Sequence, residues 1–572
     1  MKSVIDWMDN PQPNRGIRFA ERGDEWTYRS YASLAEEARR IATVQREHGV
    51  RPGDVVSLVI SEPRRFVPWF LGTLAAGAVA SPIASPLTSA SDRYAEHIAQ
   101  ITKVARPRAL FSDAELLDLG REGLRLAGSG AEIAAAGDPG GAAPGEIARV
   151  DSDSLQLLQF TSGSSGTPKG VRVSQANLAA NVTSILSWLG VGPDDSTASW
   201  LPTYHDMGLV GTFLGSVTAQ IDLWMMTPTD FLRSPLRWVE LFGRRGATTT
   251  ASPNFGYSLV NRKVRPEQLD GMDFSSWRVA MSGAERVDPS VTATFTRLLE
   301  PFGFRPTAFT PCYGMAEATL AVSGITPGSP CRMVRHDGEL VPGEPVRIIE
   351  EAVLGTRVPD TSGWLASCGR PMPGASVDVV DESGTTVPEG HFGELRVAGP
   401  GVAQGYSALE PGASSGFTDA GLRTGDAGFM LDGEVYVVGR RGESLKVRGR
   451  VVHAEDVEQL LWEVEGIAAG HVAVALAATP DGNEAIVVVE SDGGTWLGEA
   501  TAVVRSATDA ELALTVVRVN RGVIPRTSSG KPRRRALIRA CRNGELAGEV
   551  LLASRGHGLP ARRAVAAQAS AH

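Results

Sequence analysis

The run Thr161-Ser-Gly-Ser-Ser-Gly-Thr-Pro-Lys-Gly170 has the residue types of a phosphate cradle. Gly163, Gly166 and Gly170 permit close backbone approach and unusual dihedrals, so the N–H groups and the hydroxyls of Thr161, Ser162, Ser164, Ser165 and Thr167 can wrap phosphate oxygens, with Lys169 adding charge. A flexible turn is the plain alternative, but Pro168 and Lys169 stand in fixed order after the strand-like Leu155-Gln-Leu-Leu-Gln-Phe160. The run is not a Walker A loop, because G-x-x-x-x-G-K-[ST] cannot be laid over it. Other polar residues stand in short distinctive runs: His205, Asp206 and Gly208 in Trp200-Leu-Pro-Thr-Tyr-His-Asp-Met-Gly-Leu209, Ala284 and Glu285 in Ser282-Gly-Ala-Glu285, Glu317 in Tyr313-Gly-Met-Ala-Glu-Ala318. Asp426 closes Arg423-Thr-Gly-Asp426, Arg440 follows Gly439, and Lys531 ends Ile524-Pro-Arg-Thr-Ser-Ser-Gly-Lys531. Each also has a structural reading: a satisfied core histidine, a helix-start glutamate on the dipole, a turn at Gly425, ordinary packing of Tyr313 and Met315, and a solvated basic run from Lys531 through Arg533, Arg534 and Arg535.

These residues need elements to hold them. Ser33-Leu-Ala-Glu36 has capping-box spacing, and Leu34, Ala38, Ile41 and Ala42 recur at helical intervals until Gly49. Val55-Val-Ser-Leu-Val-Ile60 follows as a β-branched run, and such runs alternate with helical patterns for several hundred residues, which predicts helix-covered, largely parallel sheets. The Ala, Gly and Pro-rich stretch from Ala127 to Gly145 reads as a loop within a domain. A break near Gly439-Arg-Arg-Gly-Glu443, between strand-like Val435-Tyr-Val-Val438 and a helix from Ala454 to Val464, predicts a border between a large unit, 1–438, and a small one, 439–553. The Ala- and Arg-rich 554–572 reads as a frayed tail.

At 572 residues, with 42% apolar and 21% charged, the chain can bury more than one core. A net charge of -9 excludes global attraction to nucleic acid. Cys312, Cys331, Cys368 and Cys541 have no zinc-like spacing and read as reduced thiols. Asp6 and Asp9 stand where an export signal needs an apolar stretch, so a cytoplasmic protein is expected. Phe66 to Ser91 is uncharged and long enough to cross a bilayer, but Pro68, Gly72, Gly77, Pro82 and Pro86 interrupt it; a buried helix and strand are expected instead, with no membrane insertion.

In their order, these runs resemble the conserved blocks of the adenylate-forming superfamily of acyl-CoA synthetases, luciferases and peptide-synthetase adenylation domains, over roughly Trp26 to Cys541. Within it the chain is most similar to the fatty-acyl-AMP ligases. Tyr204-His-Asp-Met-Gly208, the stretch Asn261 to Leu269 leading into Ser276-Trp-Arg-Val279, and Pro311-Cys-Tyr-Gly314 carry that likeness. So does the segment from Ser323 to Ser367, which resembles the insertion of those ligases and by itself reads as a charged surface loop with Arg335, Asp337, Glu339 and Glu344. Arg286 departs from the pattern, standing where proline normally follows Gly-Ala-Glu.

The resemblance implies a mixed α/β and α+β fold: a large N-terminal domain of helix-covered sheets plus a small barrel, and a small mobile C-terminal domain hinged near Gly442. It implies a ligase that activates a fatty or other apolar carboxylic acid with ATP and Mg2+, giving acyl-AMP and pyrophosphate, and that serves lipid or polyketide metabolism. The acyl group then passes to the phosphopantetheine of an acyl carrier protein, with an acyl-CoA synthetase using free CoA as the rival and a non-catalytic nucleotide-binding module as the alternative of another class. Residues 161–169 would hold the β- and γ-phosphates, Glu317 the metal, and Ala284, Glu285, Tyr313, Gly314, Met315 and Ala316 the adenine. Asp426 and Arg440 would hold the ribose, His205, Asp206 and Gly208 would stand where acid meets nucleotide, and Lys531 would bridge carboxylate and α-phosphate. Trp200, Trp224 and Phe231 are acyl-pocket candidates, and Lys531 to Arg535 with Arg539 and Arg542 could meet an acidic carrier.

Overall fold

The computed structural model describes residues 3–85, 92–161, 168–337, 340–355, 364–407, 416–441, 444–447, 450–468, 470–479, 482–508, 512–526 and 531–553. The Gly-rich positions Ser162, Gly163, Ser164, Ser165, Gly166 and Thr167, the expected hinge Gly442 and the tail 554–572 lie outside them.

Two large sheets carry the first four hundred residues. In the seven-stranded sheet, Val79–Pro82, Val55–Val59, Ala109–Ser112 and Glu132–Ala135 run parallel in that spatial order. Leu155–Thr161 joins Val79–Pro82 in parallel, then Lys169–Ser174 and Tyr406–Ser407 add antiparallel. The nine-stranded sheet has a parallel centre, Phe309–Gly314, Val279–Ser282, Thr249–Ser252, Ser196–Ser199, Asp222–Met225 and Gly16–Ala20, with antiparallel strands at both edges. The central strands are buried along their length, as parallel strands covered on both faces must be.

The first long helix, Tyr31–Glu47, is capped by Ser30, whose side chain accepts from the Ser33 N–H. This corrects the expected start: Ser33 lies inside the first turn, and Glu36 pairs outward with Arg40 at 2.5 Å instead of closing a box. The apolar stripe is as expected, with Leu34, Ala38, Ile41 and Ala42 buried. The described part of the uncharged stretch runs through the helix Pro63–Ala75, with Pro68 inside it, into the buried strand Val79–Pro82. No helix among the described residues is long and apolar enough to cross a membrane.

Two loop readings need correction. Within 127–145, Glu132–Ala135 extends the seven-stranded sheet, since its backbone groups pair with Ala109–Ser112 although its side chains bury little. The segment after Ser323 is no simple charged loop, because it builds a three-stranded antiparallel sheet, Arg332–Asp337, Arg347–Val353 and Trp364–Ala366. Alternation explains this: Met333 and Trp364 pack toward one core and Val334 and Leu365 toward another, while Arg335 reaches Glu350 at 2.8 Å. The strands expected as a small barrel form a five-stranded antiparallel sheet that contains Gly393–Ala398, Gly421–Leu431 and Glu434–Arg440.

After Arg440 the chain builds cores of its own. A four-stranded sheet of Val472–Thr479, Gly482–Glu490, Ala513–Val519 and Gly548–Ala553 is covered on both faces. Val472, Val474 and Leu476 pack against the helices Ala454–Trp462 and Leu497–Ala507, while Ala473 and Ala475 pack against Arg534–Arg542. That period of two commits each strand to two cores.

Candidate active site

The register of the parallel strands sets the site. Ala251 pairs Met281, Ser252 pairs Ser282 and Ser282 pairs Pro311, so the segments leaving these strands emerge side by side at their carboxyl ends, where α/β sheets place ligands. There a cavity of about 1010 Å³ opens. Thr161, Lys169, Glu317 and Lys531 line it, and so do Ala284, Glu285 and the run Tyr313 to Ala316. Asp426, Arg440, His205 and Asp206 complete the wall.

Asp426 lies on the strand Gly421–Leu431 directly across from Arg440. Its Oδ1 accepts from Arg440 Nε at 3.0 Å and its Oδ2 from the Tyr313 hydroxyl at 2.6 Å. Burial and the facing carboxylate push the Tyr313 phenol well above its usual range, which keeps it a donor. Beneath this pair sits Glu394, a buried carboxylate that the sequence did not single out. It accepts from Arg423 Nε at 3.0 Å, from Arg441 Nη1 at 2.6 Å and from the Gly425 N–H at 3.0 Å, so it ties the Asp426 turn to the exit toward 442. A glutamate between apolar Phe392 and Leu395 was the available signal.

Ala284 has φ +68°, a left-handed conformation costly for a residue with a Cβ, and it projects the Gly-Ala-Glu turn into the cavity. Glu285 accepts the Phe255 N–H at 2.6 Å. Arg286, the departure from the family pattern, forms an ion pair with Asp456 on the helix Ala454–Trp462.

His205 and Asp206 precede a π-helical stretch, Met207–Leu214, a wide-turn geometry common at functional sites. His205 Nδ1 stands 2.8 Å from Asp206 Oδ1, and Gln159 from the neighbouring sheet donates to the Tyr204 carbonyl at 2.8 Å. Burial opposes ionisation of Asp206, but His205, the Met207 N–H and the Lys531 ammonium together hold its carboxyl below the usual range. Gly208 does not line the cavity. It is needed for close packing, since a Cβ there would stand 2.3 Å from the Pro202 carbonyl oxygen.

Glu317 sits in the short turn Ala316–Ala318 and accepts from the Tyr406 hydroxyl at 2.6 Å. Among the described residues no cluster of three or more His, Cys, Asp or Glu side chains could cage a metal alone. Glu317 and Lys169 line the same cavity, and a carboxylate there suits Mg2+, a hard cation that would take its other ligands from phosphate oxygens and water.

The aromatic candidates fall elsewhere. Trp200 stacks on Phe231 at 4.1 Å and Trp224 packs edge-on to Trp26 at 4.9 Å, and none of Trp200, Trp224 and Phe231 lines the cavity. Trp188, Phe255 and Met281 do. The C-terminal basic cluster also changes: Arg534 turns inward to Glu458 at 2.8 Å and Glu455 at 2.9 Å, and Arg542 pairs with Glu484. All four cysteines are free thiols.

A family model described as AMP-binding enzyme matches residues 9–407. Two relatives align over nearly their whole length. A Caulobacter vibrioides protein named as an acyl-CoA synthetase is 33% identical, covering 90% of each chain. A medium-chain-fatty-acid–[acyl-carrier-protein] ligase, JamA of Moorena producens, is 30% identical, covering 91% of each. A solved structure from a study of fatty acyl-adenylate ligases of E. coli and L. pneumophila superposes with TM-score 0.83 at 27% identity, covering 95% of this chain and 98% of that one.

Proposed function

The chain belongs to the AMP-binding enzyme family, and we propose that it activates a fatty or other apolar carboxylic acid as its acyl-AMP and then delivers the acyl group to the pantetheine thiol of an acyl carrier protein. The observation that carries this is one cavity holding Lys169, Glu317, Asp426, Arg440 and Lys531 together.

In the first step a carboxylate oxygen attacks the α-phosphorus of ATP in line, the new P–O bond forms, and the bond to the β-phosphate oxygen breaks to release pyrophosphate. No covalent enzyme intermediate is needed, so catalysis is positioning and charge neutralisation. Residues 161–169 hold the departing phosphates, Asp426 and Arg440 hold the ribose, and the 284–285 and 313–316 walls hold adenine. Lys531 bridges the incoming carboxylate and the α-phosphate oxygens, with His205 orienting the acid. Glu317 would hold Mg2+, which would supply charge neutralisation for the leaving pyrophosphate.

Residues 1–438 and 439–553 act as two units, with the second turning about the segment at 442 between adenylation and acyl transfer. Arg535, at the cavity rim, and Arg539 are exposed and offer positive charge to an acidic carrier. A relative named for a carrier-protein ligase supports this acceptor, and one named for an acyl-CoA synthetase keeps free CoA as the second reading.

The test combines exchange and transfer. Lys531→Ala should abolish ATP–pyrophosphate exchange while circular dichroism and the melting curve stay unchanged; normal exchange would sink the assignment. Supplying wild type with ATP, a panel of acids, and CoA or a carrier protein in parallel then identifies the acceptor, and acyl-CoA as dominant product would overturn the carrier reading.

A further inference from the structure

Tyr406 has no role in the sequence motifs, yet it touches both charged groups assigned to the phosphates. It lies on the strand Tyr406–Ser407, which pairs with Lys169–Ser174 through Tyr406 with Val171 and Ser407 with Gly170. This puts its ring beside the lysine that ends the phosphate loop, with Lys169 Nζ at 4.9 Å from the ring centroid, within cation–π range. Its hydroxyl donates to Glu317 Oε1 at 2.6 Å across 89 positions of sequence. Phe417 meets the ring edge-on at 5.4 Å and fixes its plane.

The segment before Tyr406 is tied to both partners by backbone as well. The Ala403 N–H donates to the Glu317 carbonyl at 2.9 Å, and Gln404 and Gly405 exchange hydrogen bonds with Arg172 at 2.9 Å each. Residues 403–406 therefore form a strap from the metal-side turn to the strand of Lys169.

We infer that Tyr406 is a positioning residue that couples the two ends of the phosphate site, its ring parking Lys169 and its hydroxyl aiming the Glu317 carboxylate. This rests on the adenylation reading. An arriving triphosphate would draw the Lys169 ammonium from the ring to phosphate oxygens, while the hydroxyl on Oε1 would hold the Glu317 carboxylate in place for the metal that accompanies the nucleotide.

The two arms separate experimentally. Equilibrium binding of ATP is measured in EDTA and across a Mg2+ titration for wild type, Tyr406→Phe and Tyr406→Leu, each checked by its melting curve. Tyr406→Phe keeps the ring and should leave affinity in EDTA within about twofold, while raising the Mg2+ concentration for half-maximal binding roughly tenfold, the scale of a lost hydrogen bond to a charged group. Tyr406→Leu should add a severalfold loss of metal-free affinity, the scale of a lost cation–π contact. An unchanged Mg2+ dependence in Tyr406→Phe overturns the hydroxyl arm, and equal metal-free affinities for the two variants overturn the ring arm. Should the leucine variant unfold, the phenylalanine variant decides alone. Wild type that binds no ATP would sink the adenylation reading and this inference together, whereas wild type that binds ATP beside unmoved variants sinks the role of Tyr406 only.

Discussion

Arg286 is ion-paired with Asp456, and the pair connects the turn that follows Ala284 and Glu285 to the helix Ala454–Trp462. The same helix holds Arg534 through Glu455 and Glu458, and Arg534 follows Lys531 by one turn of chain. A mechanical line thus runs from Arg286 through Asp456 and Glu458 to Arg534 and Lys531. Arg286 stands where the family pattern has proline, which could make no such bond, and the pair ties the cavity wall at 284–286 to the helix that also holds Arg534.

Asp456 is partly exposed, so screening limits the pair to about 0.5–1 kcal/mol. Asp456→Asn should slow ATP–pyrophosphate exchange about two- to fivefold at low salt, and less at high salt, where the wild-type pair is itself screened. Exchanging the charges, Arg286→Asp with Asp456→Arg, should recover much of the loss. A double variant no better than the worse single one would show that the pair does not latch the two segments.

Glu394 gives a second expectation. Glu394→Gln keeps the volume but leaves the partly exposed Arg423 and Arg441 facing an uncharged amide, and losing these charge-assisted hydrogen bonds, with screening at the arginines, costs about 1–2 kcal/mol locally. Because the tethered Gly425 directly precedes Asp426, KM for ATP should rise about tenfold or more while KM for the acid moves little. Equal changes in both constants would point to general destabilisation instead.

The contrast between Glu394 and Asp426 explains what was legible in the sequence. Asp426, Glu317 and Lys531 sit in short Gly- or Ala-containing runs, so their wording is recognisable without knowledge of distant packing. Glu394 acts through partners 29 and 47 positions away, and Tyr406 through Glu317 89 positions away, which no local spacing encodes. The capping serine was misplaced for a similar reason: Ser30 and Ser33 both suit an N-cap, and the antiparallel pairing of Gly16–Ala20 with Trp26–Ser30 decides that the chain stays extended through Ser30. Trp200 and Phe231 are acyl-pocket candidates by position alone, and the fold instead stacks them on each other at 4.1 Å, away from the cavity.

Gly208 should behave as a packing position that controls His205. In Gly208→Ala the new methyl meets the Pro202 carbonyl oxygen at 2.3 Å and Leu201 Cβ at 3.0 Å, so the turn must shift, at a cost of about 1–3 kcal/mol. A lower melting temperature together with a raised KM for the acid is expected, since His205 N–H donates to that same Pro202 carbonyl. Unchanged values for both would mean the turn relaxes without moving His205.

His453 should make stability depend on pH near neutrality. Its ring is buried against Gly439, where a Cβ would stand 2.8 Å from Nδ1, and among the described residues neither ring nitrogen has a hydrogen-bond partner. Burial is the largest influence and lowers its affinity for a proton; Asp456 and Glu455 push the other way, Arg286 adds to the lowering, and the net direction is down. The unfolded imidazole takes up a proton near pH 6.5, the folded one only at lower pH, so below about 6.5 the unfolded state binds more protons. The contribution of the neutral ring is therefore complete above that pH and is lost as pH falls toward the folded value. Replacing the ring by His453→Leu removes this loss. The unfolding free energy of wild type relative to the variant, from urea titrations, should be flat above pH 7.5 and fall below pH 6.5 by up to about 1.4 kcal/mol per pH unit. Parallel curves across that range would mean that the ring does not change its protonation on unfolding.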